Sequence, residues 1–255
     1  MRRIGRVAQE AAVPFGALAL WWWLSENSTS LYFPPLREIL STFADVWLFD
    51  GLRDILTPTL VTFFVGYGIA IVLGISLGVA LGSSRAVADF VAPLIEFLRA
   101  LPPIALVPAF IAALGIDQQM RLTVVTFASV WPVLLNTIDG VRGLDIVVRE
   151  TVSVFRVPRV QRLFAVTLPG AAPQIFAGVR VGLALSLVAV IVTEMVVAAE
   201  GVGAFTRAAQ YGFYLPEMWT AILLMGVVGY VLNKSFDIVE RRVLRWHLRM
   251  RMVTS

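Results

Sequence analysis

The chain has 255 residues, of which 58% are hydrophobic and only 15% are charged, and its mean hydropathy is +0.82. A soluble domain is about 45–50% apolar and about 25% charged, so this composition excludes a soluble globular protein and indicates an integral membrane protein. The 255 residues include no cysteine, which excludes disulfide bonds and thiolate metal sites within them.

Six apolar segments predict an all-α protein with six membrane helices. A helix needs about 20 residues to cross a hydrocarbon core of about 30 Å. The segments cover residues 11–25, 58–82, 93–114, 122–141, 172–199 and 218–238. The first is predicted to be an uncleaved anchor, because its three tryptophans and the following "SENSTS" do not resemble the small-residue cleavage site of a secretory signal.

The basic residues predict the orientation of these helices. Fifteen of the 21 fall in segments on the same side as both termini, four fall in the opposite loops, and two lie within spans. Since cytoplasmic loops are enriched in Arg and Lys, both termini are predicted to be cytoplasmic. This distribution also explains the net charge of +4 without nucleic-acid binding.

The predicted domains are residues 1–56, 57–247 and 248–255. The first contains the anchor helix and an external amphipathic segment, in which Leu36, Ile39, Leu40, Phe43 and Trp47 recur at helical spacing and are expected to lie along the outer interface. The second is the membrane-helical core with a cytoplasmic loop at about 142–170, and the third is a cytoplasmic tail.

The second predicted span carries small residues at every fourth position. These are Gly66, Ala70, Gly74, Gly78 and Gly82, and Gly178 and Gly182 repeat the pattern in the fifth span. Small residues at this spacing let another helix approach closely. Both helices are therefore predicted to pack tightly against neighbours.

No catalytic or metal site is predicted. The stretch "GISLG" at 74–78 matches the nucleophile-elbow pattern, but the single histidine, His247, lies beyond the sixth predicted span and no strand precedes the motif. No phosphate-binding loop and no HExxH motif is present. If the protein performs work, the energy is expected to come from elsewhere.

Several residues of the third and fourth spans are candidates for a transport pathway or gate. Pro102 and Pro103 interrupt helical hydrogen bonding at membrane depth, which suits either a pathway lining or a packing kink. Glu96 and Arg99 are three residues apart, so they form either a structural pair or a gate. Asn136 favours an interhelical hydrogen bond over contact with the cargo.

Between spans four and five the sequence predicts two short cytoplasmic helices meeting at an angle. Asp145 is expected to cap the first, and Pro158 to end it and begin the second. In the second, residues 160, 163, 164 and 167 share one apolar face, and Leu168-Pro169 is expected to stop the helix before the chain re-enters the membrane. The resulting elbow suits a cytosolic partner, although lipid headgroups are an alternative partner for its arginines.

Arg180 and Glu194 are the charged residues of the fifth span. They are about 21 Å apart along a helix, so they are not expected to pair with each other. Arg180 suits either snorkelling to the cytoplasmic side or a place in the pathway. Glu194 lies nearer the outer side, where it suits contact with a second copy, the external loop or an external protein.

The loop resembles the cytoplasmic signature of permease subunits of binding-protein-dependent ABC importers. That signature is Glu-Ala-Ala, three residues, Gly, nine residues, Ile, one residue and Leu-Pro. Its Glu, Ile and Leu-Pro positions are occupied by Glu150, Val166, Leu168 and Pro169 at the full spacing, with Thr151 and Val152 for the alanines and Arg156 for the Gly. Segments 98–110, 131–145, 178–196 and 240–247 look like the sulfonate, taurine and nitrate branch.

The resemblance implies a non-catalytic subunit of an ATP-driven importer in the inner (plasma) membrane. It implies a permease dimer, two cytosolic ATPase subunits that bind ATP and Mg²⁺, and an external substrate-binding protein. Glu150, Phe155, Arg156, Val157, Leu168 and Pro169 would shape or fill the ATPase contact. A carrier or channel driven by an ion gradient is the alternative, although it would usually show an inverted repeat and titratable residues near the midplane.

Overall fold

The computed structural model describes residues 16, 19–26, 28, 30–197 and 200–245, and every regular element in them is a helix. Residues 19–25 are helical. The α-helices that follow are α1 Leu36–Val46, α2 Thr57–Gly82, α3 Arg85–Ala100, α4 Val107–Leu114, α5 Gln118–Arg142, α6 Ile146–Val154, α7 Arg159–Arg162, α8 Leu168–Val197, α9 Val202–Tyr211 and α10 Leu215–Val243. Wider π-helical turns at Trp47–Leu56 and Leu163–Thr167 join α1 to α2 and α7 to α8, and a 3₁₀ turn at Pro103–Leu106 precedes α4.

Four helical segments of the described chain are long and apolar enough to cross a membrane. They are Gly51–Gly82, Gln118–Arg142, Arg159–Val197 and Leu215–Val243. These segments contain the predicted second, fourth, fifth and sixth spans, apart from residues 198–199 of the fifth, which lie outside the described residues. Residues 11–15, 17 and 18 of the predicted first span also lie outside them.

The predicted third span is not one helix. Residues 85–114 form a bent pair, in which α3 and the segment Pro103–Leu114 meet at 85°. Two successive prolines cause the break, because a residue that precedes proline is forced into extended backbone. Leu101 and Pro102 accordingly have ψ angles of 124° and 120°. If the pair crosses the membrane, it does so as a broken span.

We use the name glycine seams for the small-residue faces at residues 66–82 of α2 and at residues 178 and 182 of α8. Their contacts confirm the predicted close packing, and both seams contact the same helix, α5. A Cβ atom at Gly74 would lie 2.7 Å from the Cβ of Val133, and one at Gly66 would lie 2.9 Å from the Cβ of Val125. From the other side, a Cβ at Gly178 would lie 2.7 Å from the Cβ of Asn136. Helix α5 is therefore held between α2 and α8, with no room at either seam for a larger residue.

Side-chain hydrogen bonds join the same three helices inside the bundle. The Tyr67 hydroxyl of α2 donates to the Val179 carbonyl of α8 at 2.5 Å, and the Thr126 hydroxyl of α5 donates to the Gly66 carbonyl at 3.0 Å. A polar group without a hydrogen-bond partner is costly in lipid, so these bonds supply partners that apolar packing alone would not provide.

The amphipathic segment is helical as predicted, but its apolar side faces protein. Leu36, Ile39 and Trp47 are buried, and the Trp47 indole N–H donates to the Thr220 hydroxyl of α10 at 2.9 Å. These three side chains therefore pack against protein, whereas Leu40 is exposed, and the position of the segment along the outer interface stays a prediction. Helical backbone continues from α1 into α2, and the division of the chain at residues 56 and 57 remains a prediction.

Candidate functional site

The loop between α5 and α8 begins as the sequence predicts. The Asp145 carboxylate accepts a hydrogen bond from the Val147 amide at 2.8 Å and so caps α6. Val152 is the buried residue of this helix. At the root of the loop, a Cβ at Gly170 would overlap the Leu144 side chain, which shows how closely the two ends of the loop pack.

The turn after α6 explains why glycine suits position 156 in the resembling proteins. Arg156 has a φ of +49°, in the left-handed region that favours glycine. Its amide donates to the Ser153 carbonyl, and the Val157 amide donates to the Val152 carbonyl, both at 3.1 Å. These two bonds form a Schellman motif with Arg156 at the left-handed position. The turn is therefore kept although its glycine is missing.

Arg156→Gly is expected to stabilise this turn by about 1 kcal/mol, because glycine adopts a positive φ without the steric cost of a Cβ atom. Hydrogen exchange at the Val157 amide should slow accordingly, and coupling to a partner should be unchanged or improved. Arg149→Gly is the matched control, since Arg149 lies inside α6, where glycine costs about 1 kcal/mol. Faster exchange at Val157 in Arg156→Gly would contradict the assignment of strain.

The second loop helix does not stop at Leu168-Pro169, contrary to the prediction. Backbone runs as one helical segment from Arg159 to Val197, with the π-helical turn Leu163–Thr167 just before Pro169. Proline cannot donate to a carbonyl four residues earlier, and the wider π turn accommodates that missing bond. The elbow is thus α6 joined by a tight turn to a direct extension of α8.

An exposed apolar surface covers the elbow. We call it the elbow patch, and it consists of Val154, Phe155, Val160 and Phe164. Phe155 is 76% exposed. Contiguous apolar side chains beside charged ones mark a surface that binds another molecule. Val160 and Phe164 were predicted to share a face with Leu163 and Thr167. Thr167 is buried, whereas Val160 and Phe164 are exposed, so these residues do not share one face.

The other residues predicted for this contact differ in accessibility. Glu150 and Arg156 are exposed beside the patch, and Val157 is half-buried. Leu168 is half-buried against the main core cluster, and Pro169 is also half-buried. The last two therefore shape the start of α8 and lie outside the elbow patch.

Glu194, at the opposite end of α8, is fully buried and binds the segment that follows it. Its Oε2 accepts hydrogen bonds from the Thr59 hydroxyl at 3.0 Å and the Gly203 amide at 2.9 Å, and Thr59 accepts from the Val202 amide at 2.9 Å. Gly201 has a φ of +119°, and a Cβ there would overlap the carboxylate. Of the three predicted contacts for Glu194, the structure shows the one with this loop.

Two buried polar atoms near this end have no hydrogen-bond partner among the described residues. They are Oε1 of Glu194 and Nη1 of Arg121, and the two side chains attract each other electrostatically. This attraction lowers the free-energy cost of placing a carboxylate in the interior of the bundle. The sequence alone does not indicate that Arg121 lies near Glu194, because the two residues belong to different helices.

Glu194→Ala is expected to lower the unfolding temperature of the detergent-solubilised protein markedly. It leaves the Gly203 amide and the Thr59 hydroxyl without their acceptor, at a cost of about 1–3 kcal/mol for each buried group. Glu194→Gln retains a carbonyl acceptor and should lose less than half as much. Glu38→Ala removes an exposed carboxylate and is the control, so equal melting of the Glu194→Ala and Glu38→Ala proteins would contradict the role.

Arg180 forms ion pairs that the sequence did not predict. Its guanidinium donates to Asp237 at 2.5 Å and to Glu240, both on α10, and lies 5.4 Å from the centre of the Phe236 ring. The two carboxylates are three residues apart, so they share one face of α10. These contacts join α8 to α10 at a partly exposed site, and the place of Arg180 at the cytoplasmic side or in the pathway stays a prediction.

The remaining pathway candidates do not form the predicted contacts. Glu96 and Arg99 are exposed, and no ion pair joins them among the pairs found in the described residues. The Asn136 side chain donates within its own helix, to the Pro132 carbonyl at 2.8 Å, so the predicted interhelical bond is wrong. Pro102 and Pro103 lie at the 85° bend.

Comparison with known proteins identifies the relatives of this arrangement. Residues 70–246 match the family model described as "Binding-protein-dependent transport system inner membrane component". The nitrate import permease protein NrtB of Synechocystis sp. is 31% identical over 207 residues, covering 81% of this chain and 75% of the relative. The bicarbonate transport system permease protein CmpB of Synechococcus elongatus is 34% identical over 181 residues, or 71% of this chain and 65% of the relative.

A longer match and a solved structure agree with these. The taurine transport system permease protein TauC of Escherichia coli is 25% identical over 256 residues, covering 94% of this chain and 92% of the relative. A structure of the MetNI methionine ABC transporter in an inward-facing conformation contains a chain with a TM-score of 0.63 and 20% identity, covering 72% of this chain and 92% of that one. This structural likeness shows a shared fold.

Proposed function

Because this chain belongs to the family of inner membrane components of binding-protein-dependent transport systems, it is a permease subunit of an ABC importer, and we propose that its cargo is a small anion. Support for the cargo comes from the relatives, whose names refer to nitrate, bicarbonate, sulfonate and taurine transport. A nitrate, sulfonate or taurine-type anion is the class we expect.

The elbow patch is the observation that supports a contact between this chain and an ATPase subunit. Its four apolar side chains are exposed at the end of a loop whose root is tightly packed, which suits docking of a cytosolic protein. Phe155 would be the central anchor, with Glu150 and Arg156 as charged neighbours at the rim. Val157, Leu168 and Pro169 would hold the shape of the elbow.

The continuity of α7 and α8 suggests how motion at the elbow would reach the far side. The helical segment from Arg159 to Val197 has 39 residues and is about 58 Å long at 1.5 Å per residue. Glu194 lies near its far end and binds the start of α9. Displacement of the elbow by a closing ATPase pair would therefore tilt the helical segment from Arg159 to Val197, whose far end is bound to α9.

In the proposed assembly, two copies of this chain bind two ATPase subunits, which hold ATP and Mg²⁺. An external binding protein delivers the cargo on the side of α9, and both termini of the permease are cytoplasmic. The bend at Pro102 and Pro103 would line the pathway, with Glu96 and Arg99 exposed on the helix before it and Asn136 and Arg180 on the helices facing it. In this proposal the chain itself binds no cofactor.

Co-expression with its ATPase and binding protein tests the proposal. The ATPase should co-purify with this chain, and cargo uptake into proteoliposomes should require internal ATP and the external binding protein. The ion-gradient alternative predicts uptake by this chain alone, abolished by a protonophore or by removal of the sodium gradient. Such uptake without the ATPase would overturn the proposal.

A further inference from the structure

A cavity of about 380 Å³ opens at the root of the loop. Its apolar wall includes Val79 near the end of α2, Val141 near the end of α5, and Leu163. Arg149, Arg159 and Arg162 also line it. Three positive charges from α6 and α7 thus meet at one partly apolar cavity.

The three arginines lack the partners that neighbouring arginines have. In the described part of the chain, none of the three forms an ion pair or a side-chain hydrogen bond, and the residues that line the cavity include no carboxylate. By contrast, Arg142 lies 3.8 Å from Asp89, and Arg180 contacts two carboxylates. Like charges brought together repel, so this cavity favours an anion as its occupant.

The position of the cavity indicates where that anion comes from. Two spans end beside it, one at Gly82 and the other at Arg142, which places the cavity at the level where helices leave the hydrocarbon. Arg149 lies in the first turn of α6, whereas Phe155 follows its last turn. Arg149 is therefore at the membrane end of α6, and none of the four elbow-patch residues lines the cavity.

We propose that this cavity binds a phosphate group, supplied by an anionic phospholipid of the adjacent leaflet. Guanidinium groups bind phosphate oxygens through paired, charge-assisted hydrogen bonds, and basic cavities between membrane helices bind such headgroups. The apolar wall accommodates the first methylene groups of the acyl chains. A lipid held here tethers the root of the loop to the bilayer, whether or not an ATPase is docked.

Lipid titration of the purified full-length chain tests this site. The chain in neutral detergent is titrated with phosphatidylglycerol, with phosphatidylcholine and with inorganic phosphate, and bound species are counted by native mass spectrometry. Phosphatidylglycerol is expected to bind at least tenfold more tightly than phosphatidylcholine. Each basic side chain near an anionic surface contributes roughly a fivefold factor in affinity, so Arg159→Gln with Arg162→Gln should weaken binding about 25-fold.

Arg241→Gln with Arg242→Gln is the matched control, because it removes two exposed arginines near the end of α10 that do not line the cavity. This control should bind phosphatidylglycerol like the unmodified chain. Displacement of the lipid by inorganic phosphate would show that the cavity recognises the headgroup phosphate. Binding of inorganic phosphate as tight as that of phosphatidylglycerol would overturn the lipid as the occupant and assign the cavity to a free anion. Equal loss in both double variants, or no loss in the first, would overturn the proposal.

The single variant Arg159→Gln guards against misfolding of the double variant, since it should weaken binding about fivefold while leaving the unfolding temperature unchanged. The outcome is independent of the proposed transport function. Failure of lipid binding leaves ATPase co-purification intact, and failure of co-purification leaves the lipid titration interpretable.

Discussion

Gly74→Leu is expected to prevent assembly of the helix bundle or to destabilise it severely. A Cβ atom at this position would already lie 2.7 Å from the Cβ of Val133 and 3.2 Å from the backbone nitrogen of Leu134, so α5 would have to move away from α2. Overpacking of a close contact typically costs about 1–3 kcal/mol, and here rigid backbone and a β-branched side chain are the obstacles. The measurement is the yield of monodisperse protein after detergent extraction and its unfolding temperature.

Gly68→Leu is the control for this substitution, since it lies on the same helix and makes the same chemical change. No atom lies within 4 Å of a Cβ built at Gly68. Replacing glycine there should be neutral or stabilising by up to about 1 kcal/mol, because glycine is a poor helix former. If the two variants melted at the same temperature, the seam between α2 and α5 would not be a close contact.

The glycine seams also show what a sequence can predict about helix packing. Small residues at every fourth position mark the face of α2 that another helix approaches, and that face is confirmed at Gly66 and Gly74. The spacing does not indicate which helix approaches. Only the structure shows that α5 receives both seams, because the choice depends on contacts between residues more than 40 positions apart, such as Gly178 with Asn136 and Gly74 with Val133.

Proline was informative at one site and misleading at another. At Leu101–Pro103 two consecutive prolines interrupt the helix, as the sequence indicated, but the start of α3 at Arg85 and the 85° angle between the flanking segments were not predicted. At Pro169 the expected helix end is absent, because a preceding π-helical turn absorbs the missing hydrogen bond. A single proline near a helix start is compatible with either outcome.

Charged residues in the fifth span were identified from the sequence, but their partners were not. Arg180 pairs with residues 57 and 60 positions away, and Glu194 binds a hydroxyl 135 positions away. The cost of a charge within a membrane protein predicts that a partner exists. Its identity follows from the arrangement of α2, α8 and α10, which no local pattern contains.

Phe155→Ala is expected to abolish stable association with the ATPase and to reduce ATP-dependent uptake at least tenfold. A buried aromatic anchor at the centre of an interface commonly contributes about 2–4 kcal/mol, and 1.4 kcal/mol corresponds to a tenfold change in affinity. The Phe155 side chain is 76% exposed in the isolated chain, so its removal creates no cavity in the permease. The backbone bonds of the following turn do not involve this side chain.

Tyr211→Ala provides the matched control for Phe155→Ala. Tyr211 is also an aromatic residue at the C-terminal end of a short helix, and it is also 76% exposed, but it lies on α9 at the far end of α8. Both variants should extract and melt like the unmodified chain, and only Phe155→Ala should lose the co-purifying ATPase. Retention of the ATPase by Phe155→Ala would show that the contact lies outside the elbow patch. Loss of the ATPase from both variants would indicate general damage to the protein, because Phe155 and Tyr211 flank opposite ends of the 39-residue segment that links the elbow to α9.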